Sequence, residues 1–120
     1  MLAKALDNVS KLSPDQLPVI PGYANAPEKC RRLIALHREL SRLSANGTYF
    51  LSYRDAAKAC KGLSHQEAHR ITVGVLVRYG VVKILSNGKA GLNSREAAEF
   101  RYLLPLSENS VEDDGDELIF

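Results

Sequence analysis

Leucines recur at intervals of three to four residues after Pro27, with arginines and other polar residues between them. This spacing places the leucines on one face of a helix. They are Leu33, Leu36, Leu40 and Leu43. Proline is tolerated in a first helical turn, and an early acid such as Glu28 complements the helix dipole, so the helix is predicted to begin there. It should end near the pair Asn46-Gly47, which is typical of a helix C-cap.

A short strand and a small helix are predicted next. Residues 48–51, Thr-Tyr-Phe-Leu, favour a strand. Ser52 precedes Asp55 by three residues, which is close to a capping box with aspartate in place of glutamate and indicates the start of a second helix. That helix can approach its neighbours closely because its packing face consists of small residues. They are Ala56, Ala57, Ala59 and Cys60.

A serine and a glutamate at capping-box spacing predict a third helix. Ser64 and Glu67 form the box, and the helix is predicted to run to about Tyr79, where Gly80 closes it. At about 100° per residue, one side of this helix gathers the residues expected to face the core. They are Ala68, Ile71, Thr72, Val75, Leu76 and Tyr79. The opposite side carries Gln66, Arg70, Val73 and Val77.

Two strands joined by a tight turn complete the regular elements. Residues 81–85 alternate as a strand, residues 86–91 contain an Asn-Gly turn signal, and residues 97–104 can form the returning strand. A hairpin of two strands that follows a pair of helices is a wing.

The N-terminal segment shows little periodicity beyond a short possible helix from Leu2 to Val9. Residues 1–27 hold four of the five prolines, so this segment is interpreted as an arm that packs loosely or stays mobile. The predicted organisation is therefore an N-terminal arm (1–27), one domain (28–106) and a C-terminal tail (107–120).

This order of elements is that of the winged variant of the helix-turn-helix. Residues 50–82 resemble the winged-helix superfamily in Asp55-Ala56-Ala57, in the turn Gly62-Leu63-Ser64 and in Gly80-Val81-Val82. Residues 49–104 are also similar to winged-helix modules of plasmid and phage replication proteins. The resemblance implies an α+β fold with three helices and a β-hairpin wing, to which this chain adds the N-terminal arm and an acidic C-terminal tail. The interval from Ala57 to Gly62 is one residue longer than is commonest, which predicts a longer second helix or a looser turn.

Charge is divided unevenly along the chain. The 120 residues carry a formal net charge of +2, with 16 Lys and Arg against 14 Asp and Glu. From Ser107 onward there are six acids and no base, so the tail carries −6 and the body +8. Such asymmetry points to a nucleic acid or another polyanion as partner, with the tail as a competitor for the same surface.

Several protein classes are not expected. The apolar stretch around residues 71–76 is far shorter than the roughly 20 residues of a membrane span, and the N-terminus does not resemble a secretory signal, so a cytoplasmic protein is predicted. Cys30 and Cys60 lie in separate predicted helices without a CxxC pair, which favours free thiols over a disulfide. No catalytic motif is found, and neither enzymatic activity nor a cofactor is expected. His65 and His69, at i and i+4, offer at most a weak surface metal site.

The resemblance implies that the third helix enters the major groove and contacts bases and phosphates through its N-terminal half. Carried over to this chain, the contacts are Ser64, His65, Gln66, His69 and Arg70. Glutamine can pair with the edge of adenine, and arginine with guanine or a phosphate. The alternatives are an ordinary solvated face or a protein-docking surface. Val73 and Val77 are poor phosphate partners and are expected to pack beneath the N-terminal arm or against a second subunit.

Basic residues outside the third helix are expected to contact phosphates. On the wing and the last strand they are Lys83, Lys89, Arg95 and Arg101, and on the other helices they are Arg54, Lys58, Arg31 and Arg32. Such contacts supply affinity without sequence information, although lysines also keep sheet edges soluble. Tyr49, Tyr53 and Tyr102 are candidates for stacking on unpaired bases, but packing in the core or at its rim is favoured for each.

The C-terminal segment has the pattern of a peptide that binds a partner's pocket. Residues 113–120 resemble the acidic tip of bacterial single-stranded DNA-binding proteins, with Ile119 where that family usually has proline. The resemblance implies that the tip recruits a replication or repair protein through acids and a terminal apolar group. The residues are Asp113, Asp114, Asp116, Glu117, Leu118, Ile119 and Phe120. The alternatives are a tail that folds back on the basic surface and a solubilising disordered tail.

Together these features predict a DNA-binding accessory protein of replication or recombination in a mobile genetic element, able to bind single-stranded DNA. The main alternative is a dimeric winged-helix transcriptional regulator that binds a specific duplex operator. A third is a docking module that binds only protein. The expected partners are DNA, single-stranded or duplex, a replication or repair protein held by the tail, and a second copy of the chain if it dimerises.

Overall fold

Four α-helices and a three-stranded antiparallel sheet form the fold in residues 1–86 and 97–106, which are the residues that the structure, a computed structural model, describes. The helices are α1 (Leu2–Ser10), α2 (Glu28–Leu43), α3 (Tyr53–Ala56) and α4 (His65–Ile71). The strands are β1 (Thr48–Leu51), β2 (Val82–Ser86) and β3 (Ala98–Tyr102). Short 3₁₀ turns span Pro14–Gln16 and Ala57–Ala59, and a π-helical segment, Thr72–Val77, continues α4. The predicted α+β class is confirmed.

Helix α2 is the central element, and every residue from Leu33 to Ser41 is buried. The leucine spacing predicted one apolar face, but α1 packs against one part of α2 while β1 and β3 pack against another. Three ionisable residues, His37, Arg38 and Glu39, are therefore inside the protein. Buried groups of this kind need hydrogen-bond or ionic partners, because burial removes their contact with water.

The predicted end of α2 is wrong by three residues. The helix ends at Leu43, because Ser44 is already extended with φ −81° and ψ 143°. Asn46 instead holds the turn into β1, since its Oδ1 accepts a hydrogen bond from the backbone N–H of Thr48 at 3.2 Å. Gly47 takes a φ of +82° in this turn, a conformation that favours glycine.

The carboxylate of Glu39 joins three parts of the chain. Asn8 on α1 donates its Nδ2–H to Oε1 at 3.1 Å, and Arg42 donates from Nη1 to Oε2 at 2.8 Å. The Nε atom of Arg38 lies 3.5 Å from Oε2. Arg42 also donates from Nη2 to the carbonyl oxygen of Leu106 at 2.6 Å. Glu39 thus connects α1 to α2, and Arg42 extends the network to Leu106, the last described residue.

Residues 1–27 do not form the loosely packed arm that their prolines suggested. Five of their apolar residues are buried, namely Ala5, Val9, Leu17, Ile20 and Ala26. Arg31 donates to the carbonyl oxygens of Leu17 and Pro18 at 2.9 and 3.1 Å, and Arg32 donates to two further carbonyl oxygens of this segment at 3.1 and 3.2 Å. Charged donors make strong hydrogen bonds. Both arginines therefore fasten the segment to α2. They had been expected to extend a free basic surface, and they do not.

The sheet has the strand order β1-β3-β2, and both pairings are antiparallel. The strands predicted at 81–85 and 97–104 are confirmed as a pair with slightly different bounds, while the turn predicted between them lies, apart from Ser86, outside the described residues. The inward side chains of the sheet are buried. They are Tyr49, Leu51, Val82, Ala98, Phe100 and Tyr102.

Both cysteines are free, as the sequence favoured, with Cys30 buried and Cys60 half-buried. Burial raises the pKa of the Cys30 thiol.

Within the described ranges, no helix combines the length and the apolar character that crossing a membrane requires.

His37, Tyr49 and Phe100 form the contact between α2 and the sheet. The His37 Nδ1 atom lies 2.8 Å from the Tyr49 hydroxyl oxygen, and the His37 and Phe100 rings meet edge to face with centroids 4.9 Å apart. Burial lowers the pKa of His37 to about 3 and raises the pKa of Tyr49. Among the described residues, the other ring nitrogen of His37, Nε2, has no hydrogen-bond partner. The described residues therefore offer no acceptor that would stabilise the doubly protonated, charged form of the His37 ring.

Acid should destabilise the protein through His37. The pKa of the histidine is about 6.5 in the unfolded chain, whereas in the folded protein its pKa is about 3. The contribution of neutral His37 is therefore complete above about pH 6.5 and is lost as the pH falls toward 3, by about 1.4 kcal/mol per pH unit. His37→Gln does not titrate and should flatten the dependence of the unfolding free energy on pH, measured by urea denaturation between about pH 7 and 5. The control Gln66→Ala changes an exposed residue that does not titrate and should keep the wild-type slope. Equal slopes in the wild type and His37→Gln would contradict this account.

Candidate nucleic-acid interface

The N-terminus of α4 is held by the predicted capping box. The Ser64 Oγ atom accepts a hydrogen bond from the Glu67 backbone N–H at 3.1 Å, and Glu67 Oε1 accepts one from the Ser64 N–H at 3.4 Å. The hydrogen bond from Ser64, with the positive charges of Lys29 and Arg70, lowers the pKa of Glu67. The box thus sets the residue at which α4 begins and the direction in which its side chains project.

The outward face of α4 carries two of the predicted contacts as exposed side chains, Gln66 and Arg70. Arg70 lies 3.6 Å from Glu67, but its side chain is 72% exposed, so this ion pair is weak and leaves the guanidinium available. Ser64 is exposed, although its hydroxyl already accepts the capping bond. His65 and His69 are half-buried, and the His69 ring packs edge to face on Tyr53 with centroids 4.7 Å apart.

The second half of the helix departs from α-helical geometry. The Thr72 hydroxyl donates to the Ala68 carbonyl oxygen at 2.7 Å, a contact that bends helices, where the π-helical segment begins. A π-helix has more residues per turn than the 3.6 of an α-helix, so a constant 100° per residue misplaces the residues that follow. Tyr79, predicted in the core, is 37% exposed and stacks on Tyr23 with centroids 5.5 Å apart.

Val73 and Val77 lie on the exposed side of this helix, as predicted. They are 47% and 37% exposed, so the described part of the chain does not cover them. The N-terminal segment reaches Tyr79 through Tyr23 but leaves the two valines in solvent. Of the two expectations for these valines, packing beneath the N-terminal arm is therefore wrong.

The remaining predicted contacts are distributed over α3 and the sheet. Arg54 on α3 and Lys83 on β2 are exposed, and Lys83 is the register partner of Arg101 on β3. Lys89 and Arg95 lie outside the described residues, as do all seven predicted tail residues, Asp113, Asp114, Asp116, Glu117, Leu118, Ile119 and Phe120.

Two lysines that the sequence did not single out extend this basic surface. Lys29 lies 3.5 Å from the carbonyl oxygen of Gly62 and 3.4 Å from Glu67, beside the start of α4. Lys61 is exposed, and with Lys29 and Lys58 it lines a shallow groove of about 520 Å³. Lys61 could have been found from its place beside a turn glycine. Lys29 could not, because its proximity to α4 is purely tertiary.

Base stacking by the predicted tyrosines is not supported. Tyr49 and Tyr102 are buried and Tyr53 is half-buried, so none presents an open ring face of the kind that stacking on a nucleobase requires. Packing had been favoured for each of them.

In the described ranges, no three His, Cys, Asp or Glu side chains converge as metal ligands would.

Replacing Ser64 should weaken the anchoring of α4. Ser64→Ala removes the capping oxygen and should lower the free energy of unfolding by about 1 kcal/mol. Gln66→Ala changes an exposed neighbour without a capping role and should stay within about 0.5 kcal/mol of the wild type. Urea denaturation of both variants tests this, and equal losses would show that the box does not stabilise the helix.

No family model, no curated protein and no solved structure matches this chain. The resemblance of residues 50–82 to the winged-helix superfamily therefore stays a prediction. The same holds for the resemblance of residues 113–120 to the acidic tip of single-stranded DNA-binding proteins.

Proposed function

We propose that this chain is a winged-helix DNA-binding protein that serves replication or recombination as an accessory factor and recruits a partner through its C-terminal peptide. The observation that carries the proposal is the arrangement of α2, α3 and α4 before an antiparallel pair, β2 and β3, in a sheet of order β1-β3-β2. In a winged helix, this arrangement leaves the third helix of the core free to enter the major groove. Here that helix is α4.

The chemistry of the α4 face supports DNA as the partner. Gln66 and Arg70 are exposed one turn apart, so one can contact a base edge while the other contacts a base or a phosphate. Arg54, Lys58 and Lys61 are exposed on the elements just before α4. Cations of this kind contact phosphates, and such contacts supply affinity that falls steeply with salt.

The acidic tail supports a role beyond the DNA contact itself. Its six acids and the apolar run of Leu118, Ile119 and Phe120 fit capture by a basic pocket with an apolar floor in a partner protein. This part of the proposal rests on the sequence of residues 107–120. A cytoplasmic location is proposed with it, because replication and recombination factors of phages and plasmids act there.

A dimeric regulator is the second candidate, and one observation favours it. Val73 and Val77 form an exposed apolar patch on the π-helical segment that continues α4, where a second copy could pack. Selection from a pool of random duplexes separates the two functions. A single enriched sequence supports the regulator, whereas sequence-tolerant binding supports the accessory factor.

Arg70→Ala should weaken binding of duplex DNA. Loss of one good base or phosphate contact costs about 1–3 kcal/mol, which corresponds to an affinity roughly 5- to 150-fold lower. The matched control is Lys11→Ala, because Lys11 is also an exposed cation paired with a nearby acid, Asp7 at 2.9 Å, but caps the C-terminal end of α1. Fluorescence anisotropy with a labelled duplex measures both variants. Equal losses in the two would argue against α4 as the contact.

Removal of residues 111–120 should leave DNA binding intact or make it tighter. The truncation deletes five acids and no base, so repulsion of phosphates and competition for the basic surface both decrease. Anisotropy titrations of the full chain and the truncated chain, with single-stranded and duplex DNA, provide the comparison. A clear loss of affinity would contradict both the recruiting and the autoinhibitory account of the tail.

A further inference from the structure

The outer face of the sheet, which points away from α2, carries an aromatic ring in solvent. Phe50 on β1 is 65% exposed, whereas its neighbours Tyr49 and Leu51 are buried. Side chains alternate along a strand, so Phe50 shares its face with Arg101 on β3 and Lys83 on β2. A phenylalanine this exposed keeps most of its ring surface in contact with water.

The two cations on this face lie side by side. Lys83 and Arg101 are register partners, both are exposed, and neither forms an ion pair with an acid of the described residues. The guanidinium of Arg101 extends over Gly47 at the start of β1, since Nη1 would lie 3.9 Å from a Cβ atom at that position. Glu99, the register partner of Phe50 on β3, is a half-buried acidic residue on the same face.

We propose that this outer sheet face, formed by Phe50, Lys83 and Arg101, binds single-stranded nucleic acid. An unpaired base stacks on the Phe50 ring, and the flanking phosphates meet Lys83 and Arg101. The inference rests on the proposed DNA-binding function and adds a second surface to it, separate from α4. The three side chains come from three adjacent strands and therefore span roughly 10 Å on a rigid scaffold.

The chemistry of the face selects a single strand over the other occupants. Stacked bases in a duplex do not present their faces, so an exposed ring on a sheet can engage only an unpaired base. Every base has such a face, which makes the contact tolerant of sequence. The two cations, which form no ion pair with the described acids, favour a polyanion over the apolar surface of a protein partner.

The absence of tryptophan from the chain permits a direct test. Phe50→Trp places a single tryptophan at the proposed stacking position in the full-length protein. Adding a thymidine oligonucleotide of about 16 nucleotides should quench its emission, because the oligonucleotide covers the site size of a stacking surface. A blunt duplex should not quench it. The control Val19→Trp, at an exposed apolar position of the N-terminal segment, should keep its emission with either ligand.

Affinity measurements complete the test. Phe50→Ala should weaken binding of the oligonucleotide by about 5- to 150-fold and leave duplex binding unchanged. Lys83→Ala and Arg101→Ala should each lower the salt slope by roughly 0.7. Unchanged tryptophan emission at saturating oligonucleotide, or an emission shift caused by protein concentration alone, would overturn the inference. Duplex binding that depends on Arg70 would then leave the proposed function standing, whereas failure to bind either form of DNA would reject that function itself.

Discussion

The burial of α2 on every side is the constraint on which the rest of the structure depends. A helix with His37, Arg38 and Glu39 in its middle can be enclosed only if other elements supply polar partners. Asn8 from α1 supplies one and Tyr49 from β1 supplies another, so the same helix determines where α1 and the sheet lie. Near its N-terminal end, α2 adds Arg31 and Arg32, which bind backbone carbonyl groups of the preceding segment.

The range of each interaction decided how much of the fold could be predicted. The capping box of Ser64 and Glu67 spans three residues and was confirmed, as were the paired strands after α4. Arg31 binds carbonyl groups 13 and 14 residues away, and nothing in the local pattern distinguishes such an arginine from one on the surface. The prolines of residues 1–27 were interpreted as a sign of loose packing, but a proline-rich segment packs closely when its carbonyl groups and apolar side chains both find partners.

The candidate site was predictable to the point where α-helical geometry ends. Gln66 and Arg70 are exposed where the helical period predicted them, because α4 is regular from His65 to Ile71. Beyond Thr72 the wider turns shift the phase, and Tyr79 lies at the surface. Lys29 joins the same surface from the first turn of α2, a placement that only the tertiary fold creates.

The core contact of β1 also explains the exposed aromatic on the outer sheet face. Successive side chains of a strand point to opposite faces, and a shift of one residue would exchange the two faces completely. The hydrogen bond between Tyr49 and His37 holds the tyrosine inward, and the pairing of Tyr49 with Phe100 holds β1 in register with β3. Phe50 is then necessarily directed outward, on the face that carries Arg101. Tyr49, for which packing was favoured over base stacking, is thus the anchor in the core, and its neighbour Phe50 presents the open ring.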